Sequence, residues 1–240
     1  MSFSSRPILR LMPLVLSAAL VVAVPGSAQA SVKNPTTKSV LKATRAAMIK
    51  QGGVHVSVTS LTGKSTSSVV VDIGVGYGME TITSGTKKVV IIITPSDAYL
   101  SGSSTGLISI MGLTGAQQKK VGTLSIVMKA GTSPYNNFKS NLTSSVLAGI
   151  LPVAKGTKFK VSNDKKKDYL LTWTSKASTT APTTKSVLTI SSGSKTLPTN
   201  ETISSSAGGG TTTFSNWGEH VTEQAPAASS TIPYASVLGG

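Results

Sequence analysis

Along most of this 240-residue chain the apolar side chains recur at every second position. In "SVVVDIGVGYG", Val69, Val71, Ile73 and Val75 fall on one side, and Asp72, Gly74 and Gly76 on the other. That spacing predicts a strand with one covered face. "KKVVIIITPSDAYL" is apolar at both parities from Val89 to Ile93, which predicts a strand covered on both faces. "VGTLSIVMK", "YLLTWTSK", "KSVLTISSG", "TLPTNETISS" and "GTTTFSNWGEHV" are further short strands, rich in threonine and β-branched residues and parted by turn residues. "SNDKKKDY" reads as a hairpin tip, and "GVGYG" as a bend within a strand.

Two segments depart from the period of two. "NPTTKSVLKATRAAMIKQGG" places Asn34 as an N-cap, Pro35 at the first helical position and Gly52 just past the end. Val40, Leu41, Ala47 and Met48 then share one face of that helix. In "NNFKSNLTSSVLAGILP", Phe138, Leu142, Val146 and Ile150 recur every four residues until Pro152. The pattern predicts an α+β fold: one antiparallel sheet carrying two main helices. No repeat or long linker divides it, and an irregular tail from about residue 223 drapes over the sheet.

The first thirty residues belong to a different class. Arg6 and Arg10 precede an apolar run from Leu11 to Val24, and "PGSAQA" closes it with Ala28 and Ala30. This is the layout of a secretory signal peptide cut after Ala30, leaving residues 31–240 as one extracytoplasmic domain. The run is shorter than the roughly 20 residues of a spanning helix, so no stable transmembrane anchor is expected. The chain has no cysteine, which excludes disulfides, thiol nucleophiles, thiolate metal sites and acylation after the leader, where Ser31 stands.

Charge changes the picture of partners. Lysine and arginine total 23 against 8 acids, a formal charge of +15. The lysines cluster at Lys87–Lys88, Lys119–Lys120 and Lys165–Lys167. A nucleic-acid surface adds arginines and stacking aromatics. Here Arg45 is the sole arginine after the leader and aromatics make up 5%, so no nucleic-acid partner is expected. Anionic envelope polymers suit such a surface better.

Reactive constellations are sparse. His55 and His220 are too few for a histidine-rich metal site, and the acids are scattered. "SNDK" and "SGSK" fit S-x-x-K but lack the companion motifs of serine–lysine enzymes. "GSSTG" fits a nucleophile elbow at Ser104, with His220 downstream, yet it reads as a loop between strands rather than a strand-to-helix turn. In "TTTFSNWGEHV" a regular strand puts Trp217 and Glu219 on one face and Phe214 and His220 on the other. Packing, not proton transfer, is then the role of Trp217. No enzyme activity, metal or cofactor is expected.

The order of elements carries a resemblance. A leader and an amphipathic helix precede antiparallel strands that include "DAYLSGSSTGLISIMGLTGAQQKKVGTLSIVM". "SPYNNF" and a second helix follow, then "DYLLTWTSK", "SVLTISSGSKTLPTNETIS" and "TFSNWGEHVTEQAP". This is similar to actinobacterial secreted relatives of the LppX/LprG-type lipoproteins, whose fold resembles the carriers LolA and LolB. The lipobox cysteine is missing, and Gly122, Thr123 and Leu124 stand where relatives often have a tryptophan. The resemblance implies a strongly curved sheet, a half-open β-barrel, with helices across its concave face. It also implies an apolar cavity there that receives the acyl chains of a lipid or other amphiphile. Val71, Ile73, Ile91, Ile93, Ile126, Met128 and Trp173 could supply its walls from strands, and Phe138, Leu142 and Val146 from a helix. A monomer is expected. The alternative is a structural or adhesive envelope protein whose lysines bind anionic wall polymers.

Overall fold

Helix α1 spans Thr37–Gln51, and its ends follow from local chemistry. The computed structural model describes residues 35–63, 65–151, 160–163, 168–175, 182–193 and 195–238. The leader, Asn34, Pro152, Lys165–Lys167 and Ser194 lie outside these residues. The N-cap of α1 is Thr36, in place of the Asn34 read from the sequence. Its side chain accepts from Ser39 N while Ser39 Oγ accepts from Thr36 N, a reciprocal capping box. Gly52 ends the helix with φ of 72°, a conformation that favours glycine. Val40, Thr44, Ala47 and Met48 are buried beneath it.

Among the described residues, twelve strands form one sheet. Six run in sequence as an antiparallel meander: β1 (Val54–Thr62), β2 (Ser65–Ile73), β3 (Gly78–Ser84), β4 (Lys87–Ile93), β5 (Asp97–Gly102) and β6 (Ser125–Lys129). Five form a second meander: β7 (Lys160–Asn163), β8 (Tyr169–Ser175), β9 (Thr184–Ile190), β10 (Pro198–Ser205) and β11 (Gly208–Ser215). The two meet where β1 pairs antiparallel with β11, His55 opposite Ser215. Within the stretch read as an irregular tail, β12 (Thr231–Pro233) adds parallel to β6, and α5 (Tyr234–Leu238) follows. The sheet is curved and unclosed, with β12 and β7 at its edges. One hydrophobic cluster on its concave face joins both meanders and the helices.

Three departures from the sequence reading have clear causes. In β4, Val89, Ile91 and Ile93 are at most 1% exposed, but Val90 and Ile92 are only half-buried. Among the described residues the helices pack on the face of Val89, Ile91 and Ile93, so this strand is buried on one side and not on two. In "GVGYG", β2 stops at Ile73 and Val75 is 74% exposed. The stretch is the turn between β2 and β3, closed by Gly74 N donating to Tyr77 O at 3.0 Å, with Gly76 at φ of 77°.

The third departure is the second helix, which is interrupted. Helix α4 covers Ser133–Leu142, and a 3-10 turn covers Ser144–Gly149. Between them Thr143 is extended and bridges Gly74 in parallel, with Ser144 N donating to Gly74 O at 2.9 Å. The four-residue apolar period continues across this break because both parts face the same core. Two short helices escaped the sequence pattern: α2 (Ser104–Ser109), capped by Ser103, and α3 (Gly115–Val121), capped by Thr114. Gly122 is the C-cap of α3, so "VGTLSIVMK" is strand only from Ser125.

Candidate functional site

The concave face is built from rows of residues that lie opposite one another on neighbouring strands. One row runs Ile126, Leu100, Ile91, Glu80, Val71, Val56 and Phe214, from β6 to β11. A second contains Leu171, Leu188, Glu201, Thr212, Val58 and Val69. Cross-strand partners share a face. Two carboxylates therefore stand on the inner wall, Glu80 between Val71 and Ile91, and Glu201 between Leu188 and Thr212. Both are half-buried. Burial pushes each carboxyl up from about 4.5 to about 7.

Asp97 and Asp72 are paired where these two are not. Asp97 Oδ2 accepts from Ser96 Oγ and Tyr99 OH, and Lys129 Nζ stands 2.9 Å from its Oδ1. Burial raises the Asp97 carboxyl, but Lys129 and these hydrogen bonds outweigh it and hold the group below its ordinary value. Asp72 is hydrogen-bonded to His55 across the β1–β2 pair. Among the described residues, neither Glu80 nor Glu201 has a hydrogen-bond or ion-pair partner.

The proposed wall residues occupy this same face. Val71, Ile73, Ile91, Ile93, Ile126, Met128, Leu142, Val146 and Trp173 are at most 7% exposed and belong to the hydrophobic cluster, with half-buried Phe138 packed against it. Nine of the ten lie on β2–β6, α4 and the 3-10 turn. Trp173 is on β8, five strands from β2 along the sheet. Among the described residues, hollows occur elsewhere. One of about 120 Å³ is bounded by Gln51, Gly52, Val75 and residues 218–221. One of about 360 Å³ is bounded by Thr59, Leu61, Thr202, Ile203 and residues 209–211. None of the ten wall residues lines either.

The nucleophile-elbow match resolves differently from its reading as a loop. "GSSTG" is a strand-to-helix turn, since β5 ends at Gly102, Ser103 caps α2 and Ser104 opens it. Ser104 Oγ nevertheless accepts from Gln118 Nε2 at 2.7 Å. His220 borders the smaller hollow, at the opposite end of the strands. "TTTFSNWGEHV" also bends sooner than expected. Strand β11 stops at Ser215 and Asn216 takes φ of 51°. That turn folds Trp217 back onto Phe214, their rings stacked at 6.3 Å, although a regular strand would separate them. Trp217 Nε1 donates to Pro198 O at 2.9 Å.

Sequence reasoning missed Glu80 and Glu201. A signal was present in parity, because Glu80 lies two residues before Ile82 and Glu201 two before Ile203.

With this geometry in view, the chain is similar to the mycobacterial lipoprotein LppX and to LprF. The crystal structure of lipoprotein LppX from Mycobacterium tuberculosis matches at 16% identity and a TM-score of 0.39, covering 78% of this chain and 99% of that one. LprF from Mycobacterium bovis matches at 15% identity and a TM-score of 0.43, covering 80% and 97%. An uncharacterized conserved protein from Thermus thermophilus matches at 7% identity and a TM-score of 0.41, covering 82% and 98%. No family model and no curated protein matches the chain. No helix among the described residues is long and apolar enough to cross a membrane.

Proposed function

We propose that this is an extracytoplasmic, non-enzymatic binder or carrier of a lipid or other amphiphile. The signal-like leader supports the location. The concave face supports the ligand class, and the observation that carries it is the pair of unpartnered carboxyls at Glu80 and Glu201. An acid set among core side chains without a donor costs stability and brings none in return. It is explained by a ligand whose apolar part lies along Val71, Ile91 and Leu142 while a hydroxyl or amine donates to Glu80. Because the wall side chains already pack into one cluster, an acyl chain enters only where α4 and the 3-10 turn give way. The extended break at Thr143 suits them to move as separate pieces.

The test is native mass spectrometry and solvent extraction of protein purified from its own envelope. A bound amphiphile is expected, and its retention should fall about tenfold in Glu80→Gln, the loss of one hydrogen bond to a charged group. Protein that carries no amphiphile overturns the reading. Unchanged retention in the variant removes Glu80 as the anchor. Salt-sensitive retention on anionic wall polymer, with no lipid bound, would favour the adhesive alternative.

A further inference from the structure

We propose that the end of the molecule formed by α2, α3 and α5 docks on an anionic lipid surface. This does not depend on ligand binding at the concave face. The three helices form one platform. Gln118 of α3 bonds Ser104 of α2, and α5 packs against α3, β6 and β12. Leu107, Val121 and Val237 anchor one residue from each helix in the core. The outward residues are of another kind. Ile108 on α2 is 41% exposed and Leu238 on α5 is 44% exposed. The other large apolar side chains exposed among the described residues are Ile49 on α1, Leu61 on β1 and Val75 in the turn between β2 and β3.

Charge selects the partner. Lys119 and Lys120 lie on α3, which contacts both flanking helices. Lys87 and Lys88 open β4 beside the start of α2, where Ser103 N donates to Lys88 O at 2.8 Å. No Asp or Glu occurs from Ala98 to Asn163 or from Gln224 to Gly240, the stretches that build the platform. Exposed apolar side chains beside lysines, with no acid among them, match an interface of acyl chains beneath anionic headgroups. A soluble polyanion would use the lysines and leave Ile108 and Leu238 idle. A neutral membrane would leave the lysines idle.

The experiment is co-sedimentation of the full chain with phosphatidylcholine vesicles, with and without phosphatidylglycerol. Binding is expected only with the anionic lipid. It should weaken about fivefold in Lys119→Gln and about tenfold or more in Ile108→Asp/Leu238→Asp. Both sites are exposed, and circular dichroism verifies that the variants fold. Lys38→Gln/Lys42→Gln, which removes the same kind of charge from α1, should leave binding within about twofold of the parent. Absence of binding to anionic vesicles overturns the proposal. So does equal loss in the α1 variant, which would mean attraction by net charge alone. Binding to a soluble polyanion that persists in the Ile108/Leu238 variant, with vesicle binding equally unaffected by it, assigns the platform to polymers instead.

Discussion

Glu80 and Glu201 ionise near neutral pH because the folded protein desolvates them and, among the described residues, supplies no donor. The sign of the effect on stability follows. Each carboxyl is raised above its unfolded value of about 4.5 to about 7, so the folded state holds the proton more tightly. Stability is full below about pH 4.5, declines as pH rises towards 7 and levels off above it. The ceiling is on the order of 3 kcal/mol per group. Glu80→Gln should therefore leave stability at pH 4 nearly unchanged and raise it by about 1–3 kcal/mol at pH 8. Urea unfolding at the two pH values measures it, and equal stability of variant and parent at pH 8 contradicts the burial. Neither site was legible as a site from the sequence. A lone glutamate in "GMETITS" shows its parity, but only the register that places Val71 and Ile91 on either side shows what surrounds it.

At the level of elements, strands were legible and their ends less so. Alternation at Val69, Val71 and Ile73 is enforced by the pleat, so it reads directly from sequence. The end of α4 is set from outside by the bridge from Thr143 to Gly74, which no local period reports. Helices α2 and α3 are six and seven residues long, too short for apolar periodicity. Their cap residues Ser103 and Thr114 were the available signal. The crossing of α4 over the sheet depends on Gly78, where an added Cβ would overlap Leu142 O. Gly78→Ala should cost about 2–3 kcal/mol, since neither backbone can yield freely. Val75→Ala, in the neighbouring turn and exposed, should cost under about 0.5 kcal/mol. Thermal unfolding of the pair separates a local clash from general sensitivity of that corner.

For the whole molecule, period-two strands and two helices were enough to predict an α+β fold, one antiparallel sheet carrying two helices. The family resemblance supplied the curvature, and the curved, unclosed sheet agrees with it. A ligand-sized hollow cannot be read from composition, because the same apolar residues that could line a cavity can also fill it. Ile91 and Leu142 pack in one cluster here. The far edge of the sheet rests on the last residues described: β12 covers β6, and α5 places Val237 at 1% exposure. Truncation after Ser230 removes both and bares the backbone of Ser125–Lys129, a template for pairing with another chain. The truncated protein should self-associate where the full chain does not, and light scattering at increasing concentration reads the difference. A truncated protein that stays as dispersed as the parent would mean the edge is protected by other means.

The pairing of β1 with β11 has a consequence in time. Val54–Thr62 leaves synthesis among the earliest folded parts, yet its partner Gly208–Ser215 comes some 150 residues later. Until then one flank of an apolar, β-branched ribbon lacks its mate. The long separation makes this the step with the greatest loop-closure cost, so it should limit the rate of assembly. A polypeptide so arranged cannot complete its sheet until its last quarter is available.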